Sequence, residues 1–356
     1  MHFVDSLGYL RYIESMIKDT LHKILERKDL EKQEAYEAMS EIMSGNASEM
    51  LIASFLVALR MKGETVAEIA GCAQAMREKA TGIQSKHSNV IDTCGTGGDA
   101  TGTFNISTAA AFVAAGAGAV VAKHGNRSIS SRCGSADVLK SLGVNIEIPK
   151  EKVEECLNDI GIAFLFAPAL HGAMKYAMPV RRELGMRTVF NILGPLTNPA
   201  GAKRQIIGVF SSELTEPMAN VLKELGSERA MVVHGSGGLD EVSSFGTTRI
   251  SELKNGSVTT YEFHADSVGI PHGDLDGIKG GDAETNAAIL KNIFDGKKNS
   301  QRDITVLNAG AALYVAGLAS DMKEGIRLAI DSIDSGKAKK KLSAMIEVTN
   351  QQLAEG

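Results

Sequence analysis

Four stretches of this chain group glycine, hydroxyl and charged side chains at spacings that suit a phosphorylated ligand. The first is Asp92-Thr93-Cys94-Gly95-Thr96-Gly97-Gly98-Asp99, followed by Thr103-Phe104-Asn105-Ile106-Ser107-Thr108. Its glycines let backbone N–H groups approach an anion, and the second segment opens a helix whose N-terminus favours negative charge. The second stretch, Lys123-His124-Gly125-Asn126-Arg127-Ser128-Ile129-Ser130-Ser131-Arg132-Cys133-Gly134-Ser135, holds three cations and four serines, a composition that suits a polyphosphate. The third, Gly235-Ser236-Gly237-Gly238-Leu239-Asp240-Glu241, ends in adjacent carboxylates of the kind that hold Mg²⁺ beside substrate phosphates. In the fourth, Pro179–Thr188 followed by Phe190–Pro199, Arg181 or Arg182 could grip a carboxylate with a two-pronged contact, and Gly194-Pro195 with Asn198-Pro199 suggests a rigid loop.

Each stretch alone admits a plainer reading: a capped glycine turn, a polar surface loop, a surface acidic pair, an arginine paired with Glu183. Their joint occurrence favours the ligand reading. Two familiar phosphate motifs do not apply. Gly95, Gly97 and Ala100 fit G-x-G-x-x-A, but no acid for a ribose hydroxyl lies about 20 residues on. No Gly-Lys-Ser/Thr ends the loop, so it is not a P-loop. Asp99 would repel an anion unless a metal or a sugar hydroxyl engages it. Cys94 has no evident base and orienting partner for nucleophilic work. For His124 a structural hydrogen bond is favoured over proton shuttling.

The elements that must position these loops alternate. From Met16 to about Lys86 the apolar period is helical, carried by Ile17, Leu21, Ile24 and Leu25 and again by Ala35, Met39, Ile42 and Met43. Met50–Met61 is apolar nearly all round, which predicts burial on several sides, including against a second subunit. From Asn89 onward, strands are expected at Asn89–Thr93, Ala119–Ala122, Val144–Ile148, Ile162–Phe166, Gln205–Phe210 and Arg229–His234. Helices are expected at Ser107–Ala115, Ser135–Leu142, Lys150–Ile160 and Glu213–Leu225. That alternation predicts a mainly parallel sheet with helices on both faces. Arg249–Leu253 and Ser257–Phe263 read as a hairpin, and helices resume after Asp282.

Composition narrows the class. The 356 residues exceed one core's usual limit of about 250–300, so two domains are expected. A net charge of −5, with 11 Phe, 6 Tyr and no Trp, argues against a nucleic-acid field or a stacking platform. The basic run Lys337–Lys341 reads as a solvated helix face. Cys72, Cys94, Cys133 and Cys156 lack CxxC spacing, pointing to a reduced cytoplasmic protein rather than a disulfide scaffold or zinc module. Met1–Tyr12 lacks a signal-peptide pattern, and Met50–Met61 and Ile106–Ala122 are shorter than a membrane span.

The motifs Gly-Thr-Gly-Gly-Asp, Asn-Ile-Ser-Thr, Lys-His-Gly-Asn-Arg, Gly-Ser-Ala-Asp, Phe-Asn-Ile-Leu-Gly-Pro-Leu-Thr-Asn-Pro and Leu-Asp-Glu, in this order, resemble anthranilate phosphoribosyltransferases. The similarity runs from about Met16 to near the C-terminus and includes Glu41–Gly45 and Ala58–Gly63. It implies a nucleoside phosphorylase/phosphoribosyltransferase-like fold, with a small all-helical domain on a larger α/β domain and the active site at the hinge. The expected division is an N-terminal extension (1–15), a helical domain (16–87 with part of about 169–195) and a catalytic domain (88–168 and 196–356). The implied reaction transfers the phosphoribosyl group of 5-phosphoribosyl 1-diphosphate (PRPP) to the amine of anthranilate.

Carried over by motif, Gly95, Gly98, Asp99, Thr103, Asn105, Ile106, Ser107, Thr108, Lys123, His124, Gly125, Asn126, Arg127, Ser128, Ile129, Ser130, Ser131 and Ser135 would bind PRPP. Gly95, Asn126 and Arg181 would contact anthranilate, and Ser107, Asp240 and Glu241 would hold Mg²⁺. No residue is expected to act as a catalytic nucleophile or base, because catalysis would rest on positioning and on the metal. The resemblance further implies a homodimer formed through the helical domain, with no nucleic-acid or membrane partner; it carries no expectation about association with anthranilate synthase. The family's His-Pro-Ala-Met-Lys stands here as His171-Gly172-Ala173-Met174-Lys175, which bears on the rigidity of that helix start. Two alternatives fit less well: a pyrimidine nucleoside phosphorylase, with a different lysine–serine signature in the second loop, and a non-enzymatic nucleic-acid-binding paralogue, with a basic groove and degraded motifs.

Overall fold

The computed structural model describes residues 6–99, 101–128 and 132–351, with side chains from residue 16 onward. The expected contacts of Ile129, Ser130 and Ser131 lie outside the described residues. Two compact units emerge: Met1–Thr81 with His171–Thr197, and Gly82–Leu170 with Asn198–Gly356.

The first unit is helical, with helices at Ser6–Leu25, Lys32–Met43, Glu49–Lys62 and Val66–Lys79. The first helix therefore takes in most of the stretch marked in the sequence as an extension. Ile17 and Ile24 are buried along its inner face, whereas Leu25 is 66% exposed. Thr65 and Glu68 form a capping box at the start of the fourth helix. Glu68 is fully buried, and its carboxylate accepts from Leu30 N–H (2.9 Å), Thr65 N–H (2.8 Å) and Lys62 Nζ (3.0 Å). A buried charge satisfied this way is tolerable because each desolvated oxygen regains a donor. The helix Glu49–Lys62 corrects one expectation. Only Ile52, Phe55, Leu56 and Leu59 are buried, while Met50 and Met61 are 79% and 73% exposed. The returning segment corrects another: the Gly-Pro stretch is not an extended loop but helix Phe190–Leu193 running into a 3₁₀ turn at Gly194–Leu196. Arg77 Nε donates to the Leu196 carbonyl (2.6 Å), tying that turn to the fourth helix.

The second unit carries a seven-stranded sheet in the order β3-β2-β1-β4-β5-β6-β7. The strands are β1 Val90–Asp92, β2 Val120–Gly125, β3 Ile162–Phe166, β4 Arg204–Gly208, β5 Arg229–Gly235, β6 Thr247–Lys254 and β7 Ser257–His264. β1 to β5 run parallel, and β6 and β7 are antiparallel to their neighbours. The hairpin closes on Asn255-Gly256, both left-handed, the geometry of a two-residue turn that matches strand twist. The β1→β2→β3 crossovers run one way along the sheet and β4→β5 the other. Right-handed connections therefore put Ile106–Gly116 and Ser135–Ser141 on one face and Thr215–Glu224 on the opposite face.

The helix Ile106–Gly116 is buried along nearly its whole length, and Phe112 meets Phe294 edge to face at 5.8 Å. The expected strand at Val144–Ile148 is absent. Val144 and Ile146 are buried, but Asn145 N–H binds Thr349 Oγ1 (3.2 Å) on the last helix rather than a neighbouring strand. The alternation there reflects a loop pressed onto a helix. The stretch Lys150–Ile160 is helical as expected but widens into a π-turn over Cys156–Ile160. No described helix is long and apolar enough to cross a membrane.

Candidate active site

β1 and β4 lie side by side, and the chain leaves them in opposite directions. In open α/β sheets the crevice beyond the strand C-termini at such a reversal is where ligands bind. The first glycine loop leaves β1 here and crosses the end of β4. Thr96 N–H donates to Gly208 O (2.8 Å), and Thr96 Oγ1 accepts from Phe210 N–H (3.2 Å). Gly97 and Gly98 take φ values of 64° and 78°, which side chains disfavour. Gly208 is dictated by close approach, since a Cβ there would lie 1.4 Å from the Asp240 carbonyl oxygen.

That approach brings the third stretch onto the first. Asp240 Oδ2 accepts from Gly97 N–H (3.0 Å), and Glu241 Oε1 accepts from Ser107 N–H (3.1 Å) at the start of helix Ile106–Gly116. Asp99 stands close by and is bonded to Thr101. Burial, then the charge and hydrogen bonding of Asp99, push Asp240 up to about 7. Burial, then the charge of Asp240, hold Glu241 well above the usual carboxylate range. Asp240 and Glu241, raised by burial and by neighbouring charge that includes Asp99, fit a hard divalent cation, which would relieve the repulsion.

A buried lysine supports the same corner. Lys123 Nζ donates to Ser107 Oγ (3.0 Å) and Thr93 O (3.2 Å). Asp92 underpins both strands: its carboxylate accepts from His124 N–H (3.1 Å) and from Asn198 Nδ2 (2.7 Å), while that Asn198 group also donates to Ala122 O (2.8 Å). Burial nevertheless pushes Asp92 up to about 6. Burial and the surrounding acids push the Cys94 thiol up, the opposite of an activated nucleophile.

The second loop is built differently. Asp137 accepts from Ser128 N–H (3.2 Å) and Gly134 N–H (2.8 Å), which closes the loop's base. Ser135 Oγ donates to Asn126 O (3.2 Å), and Asn126 Oδ1 accepts from Arg127 N–H (2.7 Å). Arg127 pairs with Glu147 (2.7 Å), both half-exposed.

Among the other expected residues, Thr103 forms a β-bridge with Lys279. Asn105 Oδ1 accepts from Asn286 Nδ2 (3.0 Å), and Asn105 Nδ2 donates to Cys133 O (3.2 Å). Ile106 and Thr108 have buried side chains, so they can offer a ligand only their backbone.

In the first unit Arg181 lies on helix Met178–Leu184. Its guanidinium sits over the Phe190 ring (5.1 Å), and burial lowers its proton affinity. No carboxylate pairs with it among the described residues, so the plainer reading of an arginine paired with Glu183 does not hold for Arg181. His171 is buried and pushed down to about 4 by desolvation. Gly172, in the place of the family's proline, begins a 3₁₀ turn with open space around it.

Three positioning residues escape a reading of local motifs, Gly208, Asn286 and Asn308, and the bonds of Asn198 to Asp92 and Ala122 go beyond the loop its motif suggested. Asn308 Oδ1 accepts from Val242 N–H (2.9 Å) and its Nδ2 donates to Val242 O (2.9 Å), fixing the residue next to Glu241. Each acts on a partner 32 or more residues away, so spacing could not mark it.

Comparison with known proteins shows the family. Residues 87–339 match the a/b domain of the glycosyl transferase family, and residues 18–80 match its helical bundle domain. The chain is 54% identical over 335 residues to the anthranilate phosphoribosyltransferase of Acetivibrio thermocellus, spanning 94% of this chain and 97% of that protein. The crystal structure of the Thermus thermophilus anthranilate phosphoribosyltransferase superposes with a TM-score of 0.89 at 45% identity, covering 94% of this chain and all of that one. The Saccharomyces cerevisiae enzyme in complex with PRPP and Mg superposes with a TM-score of 0.86 at 30% identity, covering 94% and 98%. The chain belongs to the anthranilate phosphoribosyltransferase family.

Proposed function

We propose that this chain transfers the phosphoribosyl group of PRPP to the amine of anthranilate, giving N-(5-phosphoribosyl)anthranilate and pyrophosphate, in tryptophan biosynthesis. The observation that carries the reading is the acid pair Asp240–Glu241, pinned to the N–H groups of Gly97 and Ser107 where the strand order reverses. Within this reading Gly95, Gly98, Asp99, Thr103 and the Asn105–Thr108 helix start cradle PRPP from one side. Lys123 to Ser131 and Ser135 do so from the other. Asp240, Glu241 and Ser107 hold Mg²⁺, and the crowding of the acids is what supports that assignment. Gly95, Asn126 and Arg181 contact anthranilate. A half-buried guanidinium with no acid partner among the described residues suits the anthranilate carboxylate.

The chemistry asks little of a base. An aromatic amine is unprotonated at neutral pH and attacks the ribose C1 as its bond to pyrophosphate breaks, passing through an oxocarbenium-like state. Bound Mg²⁺ would supply neutralisation of the leaving diphosphate. The loops supply orientation, worth several kcal/mol when the reacting atoms are held near contact distance. The exposed Met50 and Met61 on helix Glu49–Lys62 support a homodimer formed through the helical unit. The absence of disulfides among the described residues supports a cytoplasmic setting. The test is loss of anthranilate fluorescence with PRPP and Mg²⁺. Turnover is expected, and its absence with folded protein would overturn the reading.

A further inference from the structure

Beneath the glycine loop lies a second group of metal-binding side chains that is separate from the acid pair. Asp92, Cys94 and His124 bring a carboxylate oxygen, a thiol sulfur and a ring nitrogen within 4.8 Å of one another. Parallel pairing of β1 with β2 produces this juxtaposition. Asp92 ends β1, His124 lies on β2, and Cys94 follows Asp92 by two residues, the spacing that returns a side chain to the same face. Two of the three are already fixed. The Asp92 carboxylate is oriented by His124 N–H on one oxygen and by Asn198 on the other. His124 is held in the strand by its register with Leu165 on β3. Cys94 is the adjustable member, since it donates only a long contact to Gly95 O (3.4 Å) and opens a run of glycines.

We propose that Asp92, Cys94 and His124 form a second cation site for a thiophilic divalent ion of the Zn²⁺ class, with water in the fourth position. The donor set decides the class: one sulfur, one nitrogen and one oxygen suit Zn²⁺ or Co²⁺, whereas Mg²⁺ takes oxygen. The geometry is within reach. Ligand bonds of about 2.0–2.3 Å bring donor atoms to roughly 3.5 Å apart, so the group must close by about 1 Å. The charges acting on Cys94 are mixed, since Asp92, Asp240 and Glu241 are opposed by the Lys123 ammonium, so the donor set and its geometry carry the assignment. Binding breaks the Cys94 S–H bond, releases its proton to solvent and forms the sulfur–metal bond, with no change of oxidation state.

The test is titration of the metal-stripped protein with Co²⁺. One equivalent is expected to produce a near-ultraviolet sulfur-to-cobalt charge-transfer band together with visible bands of a tetrahedral ion. Cobalt bound at the oxygen ligands of the acid pair gives no sulfur band, so the two sites are told apart. Cys94→Ser should abolish the band and weaken binding at this site by more than the ~10–100-fold that loss of an outer-shell partner costs. Cys133→Ser should leave both unchanged. X-ray absorption on the wild-type zinc complex, which needs no variant to fold, should show one sulfur in the first shell. No sulfur band at one equivalent, a band that survives Cys94→Ser, or a first shell with no sulfur or with two would overturn the proposal.

Discussion

The two phosphate loops solve opposite problems. At the ends of β1 and β4, acids are pressed together and held by backbone: Asp240 and Glu241 each accept from a main-chain N–H that cannot leave. After β2, cations and hydroxyls are gathered on a loop whose base is closed by Asp137, and the Arg127 guanidinium makes a half-exposed pair with Glu147 and lies over the Phe166 ring at 5.7 Å. Such exposed pairs contribute about 0–1 kcal/mol, so Arg127 can leave Glu147 for a phosphate at little cost. In the proposed reading, the first region is a rigid clamp that a cation would complete, and the second is an adaptable grip that an anion would complete. Substitutions in the first should therefore damage structure and turnover together, and those in the second chiefly affinity.

The largest effect is expected at the clamp's scaffold. Gly208→Ala places a methyl group on the Asp240 carbonyl, and backbone cannot rotate away as a side chain can. Destabilisation of about 3 kcal/mol is expected, together with loss of turnover. A variant with unchanged denaturant midpoint and activity would break the idea of a rigid clamp. Next come Asp240→Asn and Glu241→Gln combined, which keep the shapes and remove the charges. Turnover at saturating substrates should fall about 10²–10³-fold, on the scale of other transition-state charge losses. A wild-type Mg²⁺ response would remove these residues from the metal.

Smaller and more selective effects are expected outside the clamp. Arg181→Ala should raise the KM for anthranilate roughly 10–100-fold, the scale of a charge-assisted contact of about 1.5–3 kcal/mol, and leave the KM for PRPP near its starting value. Equal effects on both would take Arg181 away from the carboxylate. Arg127→Ala should raise the KM for PRPP only a few-fold, since the loop retains other donors. A loss as large as that of the acid pair would erase the contrast between the loops.

The same contrast explains what the sequence could and could not convey. Gly95–Asp99, Lys123–Ser135 and Asp240–Glu241 stood out because each is a contiguous run whose composition suggests a ligand. The parallel sheet was legible from alternation, although Val144–Ile148 shows that alternating burial also arises when a loop lies on a helix. Gly194–Leu196 shows the converse, a Gly-Pro pair absorbed into a helical turn. Gly208 and Asn308 were illegible because their partners are distant in sequence, as was the role of Asn198, although its motif was noted. So was the convergence of Asp92, Cys94 and His124. A spacing rule for cysteines searches along the chain, whereas two parallel strands assemble ligands across it.

The smallest expected effect is the most direct measure of the clamp's charge. Asp92 and Asp240 are held at about 6 and about 7 in the folded protein, against an ordinary value of 3.8. Because both are raised, the fold favours their neutral forms. Their contribution to stability is complete below pH 3.8 and is lost as the pH climbs through 6 and 7. Metal-free protein should therefore lose a few degrees of Tm between about pH 5 and 8, taking roughly 2–4 °C per kcal/mol for a unit of this size. Mg²⁺ needs the ionised acids, so the Tm it restores should grow over that same interval. Asp240→Asn removes one of the titrating groups and should flatten both trends. If the variant keeps the full wild-type slope, the acids are not in conflict in the empty site, and the clamp is not waiting for a cation.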